Sequence, residues 1–201
     1  MDAAWPALDS ATLHAWKLRS AGSVTRRANS ILPLACPDGL SAALSAAVAS
    51  GVHITLDAAP SPAWLELWWR VDGRGGPAER SIAERILLGA PAIHATAFDT
   101  SGRAVGTGRW ALAAVAGVGA WGGIYAMAVH TDARRRGMAG NILGVLVAAG
   151  RDLGVRELWL MVTAANARAQ QLNTRAGFTE AGRCHYRQAP LRVAAGFEAR
   201  V

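Results

Sequence analysis

A strand-forming stretch over residues 121–129 runs into His130-Thr131-Asp132-Ala133-Arg134-Arg135-Arg136-Gly137-Met138-Ala139-Gly140. An apolar helical pattern follows to about residue 153, with Gly154 as its stop. This strand–turn–helix corner constrains the chain more than any other feature. A helix start leaves its first amides without intrahelical partners and carries partial positive charge. A diphosphate laid there collects several N–H bonds at once. Gly137, Ala139 and Gly140 lack bulk, so phosphate oxygens can approach the main chain. Arg134, Arg135 and Arg136 add fixed charge for charge-assisted bonds to phosphate. Read alone, the corner is equally a generic turn carrying a solvated arginine run.

The rest of the chain supplies context. Residues 13–20 and 24–34 read as a hairpin around Ala21-Gly22-Ser23, followed by a helix over 40–49 and a short strand at 52–57. Ala59-Pro60-Ser61-Pro62 breaks the chain there, and we take residues 1–58 as an abbreviated N-terminal lobe. Beyond it, helices are predicted over 64–71 and 78–88, then a hairpin of 92–99 and 103–111 across Thr100-Ser101-Gly102. After the corner come a strand at 156–163, a helix at 166–176 ended by Gly177, and a final strand at 178–187. Trp64, Trp68 and Trp69 fall at helical spacing and are expected in the core.

Two motifs in this order carry a resemblance. The corner is similar to the acyl-CoA-binding motif of the GNAT superfamily, V-x-P-x-x-[RQ]-x-x-G-x-[GA], through Val129, Arg134, Gly137 and Ala139. Asn166-Ala167-Arg168-Ala169-Gln170-Gln171-Leu172-Asn173-Thr174-Arg175-Ala176-Gly177-Phe178 resembles that superfamily's N-x-x-A-x-x-L-Y-x-x-x-G-F. The resemblance implies an α/β fold: a mixed, mostly antiparallel central sheet flanked by helices, here preceded by a short hairpin-and-helix lobe. It places the acetyltransferase domain at 63–190. Two terminal segments, 19–34 and 185–190, resemble an actinobacterial two-lobed GNAT group, some members of which are described as N-acetylglutamate synthases.

The same resemblance implies acetyl-CoA as cosubstrate, no metal, and a small-molecule primary amine as acceptor, an amino acid such as glutamate being one candidate. Met127, Ala128 and Val129 would pair with the pantetheine arm, and an N–H at Met127 or Ala128 would polarise the thioester carbonyl. Arg134, Arg135, Arg136, Gly137, Met138, Ala139 and Gly140 would take the diphosphate, and Asn166 the amide arm. Two positions depart from the pattern. Glutamate on the strand before the asparagine is here Met161, and the tyrosine that protonates the departing thiolate is Asn173. Neither replacement does that proton chemistry. Tyr125, Tyr186 or His185 would have to substitute, water would have to carry the proton, or the chain binds acyl-CoA without efficient turnover.

Composition separates the remaining classes. The formal charge of +7 invites a nucleic-acid partner, but Lys17 is the only lysine and the arginines are scattered apart from two short runs. A nucleic-acid role therefore ranks last. Cys36 and Cys184 make no disulfide framework, and the five histidines show no zinc spacing. No apolar run reaches the roughly 20 residues that cross a bilayer, so no membrane partner is expected. The N-terminus lacks the basic and apolar regions of a secretory signal, which places the protein in the cytoplasm; a monomer or homodimer is expected.

Overall fold

The strands predicted between residues 92 and 163 fall in one main sheet with helices on both faces. The computed structural model describes residues 9–13, 16–20, 34–35, 52–115, 119–155 and 157–183. Strands β1 (Asp9–Leu13) and β2 (Trp16–Ser20) form a separate antiparallel pair. The main sheet holds β3 (Leu34–Ala35), β4 (His53–Asp57), β5 (Ala92–Phe98), β6 (Ala104–Val115), β7 (Gly119–Val129) and β8 (Glu157–Leu160). Their order is β3-β8-β7-β6-β5-β4. Only β7 and β8 run parallel; every other neighbouring pair is antiparallel. This is the mixed, mostly antiparallel sheet expected from the two motifs.

Helix α1 (Pro62–Asp72) starts inside the stretch that reads as a chain break. The Ser61 side chain accepts from Trp64 N at 3.1 Å, and Pro62 occupies the first turn, where its missing N–H costs nothing. Helix α2 (Pro77–Leu88) begins the same way, with Pro77 first and Glu79 Oε2 accepting from Gly76 N at 2.7 Å. Trp64, Leu65 and Trp68 of α1 and Ile86 and Leu87 of α2 bury against Ala111, Tyr125 and Trp159 on one sheet face. On the other face α3 (Met138–Asp152) sets Ile142, Leu143 and Leu146 against Ala95, Ala97, Trp110 and Ile124. Each aliphatic side chain so buried contributes about 1.5–3 kcal/mol before entropy is counted.

Three expectations are corrected. Residues 13–20 are not one strand: the chain reverses between Leu13 and Trp16, which stand opposite each other in the register. The strand expected over 156–163 stops at Leu160, because its neighbour β7 bends away beyond Ile124. Residues 178–181 form no strand, and only Gly182 makes a bridge. Strand β4, on the N-terminal side of the break at 59–62, is hydrogen-bonded along the edge of the main sheet. The helix expected at 40–49 lies outside the described residues, as do 24–33 and 184–187.

Candidate active site

The site grows out of an irregularity in β7. Thr107 pairs with Ala128 and Arg109 with Tyr125, so Ala126 and Met127 together face the single residue Gly108. Such a bulge bends a strand and frees backbone groups. Ala126 takes φ of 50°, a left-handed conformation that costs a non-glycine residue about 1 kcal/mol or more. Two side chains take up the backbone acceptors there. Thr107 Oγ1 donates to Ala126 O at 3.1 Å, and Trp64 Nε1 donates to Gly108 O at 3.1 Å. An unmet buried carbonyl would cost a hydrogen bond's worth of free energy, so these contacts make the bulge affordable.

The bulge parts the sheet. β7 and β8 pair from Trp121–Glu157 to Ile124–Leu160 and no further. Beyond that point their free edges, with α4 (Ala167–Arg175), wall a cleft of about 580 Å³. Tyr125, Met127, Val129, Ala139, Met161, Asn166 and Asn173 all line it. Ala128 pairs with Thr107, and His130 N donates to Val105 O at 2.9 Å. By strand alternation, Met127 and Val129 therefore turn their own N–H and C=O groups toward the cleft.

Val129 and Ala139, which flank the arginine-rich corner, both line the cleft. Arg134 reaches back, Nε to Val129 O at 3.0 Å, fixing the turn to the strand it leaves. Arg135 at φ of 64° and Gly137 at 76° are both left-handed, the alternation that curls successive N–H groups into an anion-binding concavity. Gly137 caps α3 without any side-chain hydrogen bond. The first bond of that helix runs from Asn141 N to Gly137 O at 3.0 Å, so the amides of Met138, Ala139 and Gly140 have no intrahelical acceptor. Arg134, Arg135, Arg136 and Gly137 are exposed, and Ala139 and Gly140 half-buried. Met138 differs: its side chain is core, 6% exposed, so only its amide faces outward.

Asn166 is not inside its helix but caps it, accepting from Ala169 N at 3.1 Å. Asn173, at the position of the family's tyrosine, is buried at 7% and forms part of the cleft wall. Tyr125 is likewise buried, its ring edge-on to Trp159 at 5.3 Å and 5.8 Å from the Arg109 guanidinium carbon. Tyr186 and His185 lie outside the described residues. Sequence reasoning missed Thr107 and the contact of the core residue Trp64 with Gly108 O, and it missed Asp72, Arg74 and Arg168. The first two matter through cross-strand register. The other three line the cleft from the α1–α2 turn and the first turn of α4. Among the described residues, no three His, Cys, Asp or Glu side chains converge on a metal position, and no helix is long and apolar enough to cross a membrane.

A sheet parted at a bulge thus lies beside a helix start whose first amides have no intrahelical acceptor. The chain belongs to the acetyltransferase (GNAT) family, whose model matches residues 61–178. Its structure resembles a tandem GNAT protein from the clavulanic acid biosynthesis pathway, at TM-score 0.63 and 16% identity over 87% of this chain and 60% of that one. It also resembles an aminoglycoside N-acetyltransferase in complex with CoA, at TM-score 0.56 and 20% identity over 70% of this chain and 97% of that one. A 6'-N-acetyltransferase for aminoglycoside antibiotics from Acinetobacter baumannii follows at TM-score 0.55 and 15% identity, covering 70% and 99%. At these identities the likeness establishes the fold. No protein of curated function matches the sequence.

Proposed function

We propose that this chain transfers an acetyl group from acetyl-CoA to the primary amine of a small molecule. The carrying observation is the pairing of bare α3 amides at 138–140 with the β7 edge at Met127 and Val129, which lines the same cleft. The diphosphate sits on those amides beside Arg135 and Arg136, and the pantetheine arm adds itself to β7 as a short strand. The thioester then falls at the bulge. There the Met127 N–H polarises its carbonyl and stabilises the oxyanion that forms as the amine attacks, an effect worth about 3 kcal/mol. Ala128 is the poorer donor of the two, because it pairs with β6. Family membership and the CoA-bound relative support this reading. An amino acid acceptor such as glutamate, and kinship to the two-lobed group, rest on the terminal segments; the overlay of a tandem protein on 87% of the chain supports the second.

The attacking amine must shed a proton, and the thiolate must gain one. Met161 and Asn173 offer neither service. We assign proton transfer to water within the open cleft, which suits an α-amine of pKa near 7.7–8.0 better than a lysine amine. That same pair of residues favours one competing reading, a module that holds acyl-CoA without turning it over. Calorimetry with acetyl-CoA, followed by thiol release over a panel of amines, tests both. Binding with turnover is expected, and Asn173→Tyr should raise the rate by about tenfold or more by supplying a general acid. Absence of binding would refute the assignment. Binding without turnover, unchanged in the tyrosine variant, would establish the non-catalytic module instead.

A further inference from the structure

The cleft reaches both faces of the sheet. Among its lining residues, Ile124, Leu143, Leu160 and Val162 belong to the core beneath α3. Tyr125 belongs to the core beneath α1 and α2, against which Val71, Ala126 and Met161 pack. Between the strands, the gap begins where the last β7–β8 pair, Ile124 with Leu160, ends. Ile124, Leu143 and Leu160 line the cleft, yet none is more than 5% exposed. Side chains so buried leave little open surface, so the cleft tapers to a blind, aliphatic end here.

That end lies in line with the pantetheine arm. The diphosphate is assigned to the corner that follows Val129, so the arm passes Val129 before Met127. Its reacting end then points back along β7 toward Ile124, and the acyl carbons are the next atoms in that direction. Ile124, Leu143 and Leu160 carry no polar group. A packed interior yields poorly even to one added methylene. A carboxylate brought among such side chains would lose its water without gaining a partner.

We infer that Ile124, Leu143 and Leu160 gauge the donor: they seat the acyl group, admit acetyl, and exclude longer or charged acyl groups. This gauge rests on the acetyltransferase reading of the cleft and adds to it the residues that set donor length and charge.

Calorimetry on the full chain tests it without an acceptor, using acetyl-, propionyl-, butyryl- and succinyl-CoA, each referred to free CoA in the same protein. Wild type should bind propionyl-CoA about tenfold more weakly than acetyl-CoA, the scale of one methylene too many in an apolar pocket. Butyryl- and succinyl-CoA should bind more weakly still. Leu143→Ala, a helix position outside the strand pairing, should remove most of the gap for propionyl- and butyryl-CoA but not for succinyl-CoA. Ile124→Val is the smaller cut, should relax propionyl-CoA alone, and serves if Leu143→Ala does not fold. Leu146→Ala is the control, because Leu146 is wholly buried in the same core but lies outside the cleft lining. It should lower stability and leave the donor order as it was. Wild type that binds neither CoA nor acetyl-CoA would remove the underlying reading. Normal CoA binding with the four thioesters held equally would overturn the gauge alone. So would a donor order that survives in both Leu143→Ala and Ile124→Val, or one that shifts as far in Leu146→Ala.

Discussion

His94 stands 1% exposed on β5, edge-on to Trp64 at 5.1 Å and across the ladder from Arg109. Burial, and then repulsion from the Arg109 guanidinium, depress its pKa from 6.5 to about 4. Arg109 is itself wholly buried, and burial lowers it to about 10, still charged at neutral pH. It keeps that charge by donating to Leu87 O at 2.9 Å at the C-terminal end of α2, where exposed carbonyls favour a cation. The histidine fixes a sign. A depressed folded pKa means that the unfolded chain binds the proton first, so stability is complete above pH 6.5 and falls as pH drops toward 4. The loss amounts to about 3 kcal/mol at most, from some two and a half pKa units at 1.36 kcal/mol each. Urea unfolding between pH 4 and 7 should show that slope, and His94→Gln should flatten it. An equal slope in the variant would mean that other groups carry the acid sensitivity.

At the scale of elements, the position of α3 is set by two glycines on β6. A Cβ at Gly106 would lie 2.6 Å from Ile142 Cδ1, and one at Gly108 would lie 2.6 Å from Ile142 Cγ2 and 2.8 Å from Leu146 Cδ1. The helix thus rests directly on the strand backbone, holding its bare first turn in line with the edge of β7. Gly108→Val should push α3 outward, lowering stability by about 1–3 kcal/mol through overpacking and weakening acetyl-CoA binding with it. Gly137→Ala makes the contrast: its Cβ meets open space, and the left-handed φ alone costs about 1–2 kcal/mol. Thermal melts with calorimetry separate the two, and full cofactor affinity in Gly108→Val would show that helix placement is not critical. The helix itself was legible, because Gly137, Gly154 and the apolar period mark it within one chain segment. The bulge was not. Ala126 carries no local signal for a left-handed backbone; its partner Thr107 lies 19 residues away, and Trp64, which donates to Gly108 O opposite the bulge, lies 44 residues from Gly108. The early end of β8 was hidden for the same reason, since a strand ends when its neighbour leaves.

Across the whole molecule, the total of 21 lysines and arginines overstates the free positive surface. Arg70 and Arg80 are paired with Glu66, Arg103 with Asp99 and Arg183 with Glu180, while Arg109 is buried. Exposed pairs of this kind add little to stability, but they cancel field. What stands out is the run Arg134–Arg136, exposed beside the start of α3, whose first amides have no intrahelical acceptor and whose Ala139 lines the cleft. A nucleic-acid partner would draw on basic charge spread along a face, and its affinity would fall steeply with salt. A diphosphate at α3 divides its attraction differently. Contact N–H bonds persist at high salt, whereas the exposed arginines are screened beyond about 10 Å at 0.1 M. Arg135→Gln combined with Arg136→Gln should therefore weaken acetyl-CoA binding by about tenfold at low ionic strength, at 0.5–1 kcal/mol per exposed charge. Near 0.5 M salt the gap to wild type should close to about twofold. Affinities measured by calorimetry across that range decide the matter. A salt slope unchanged in the double variant would assign the attraction to the molecule's overall charge, and the local pairing of guanidinium and amide at this corner would lose its support.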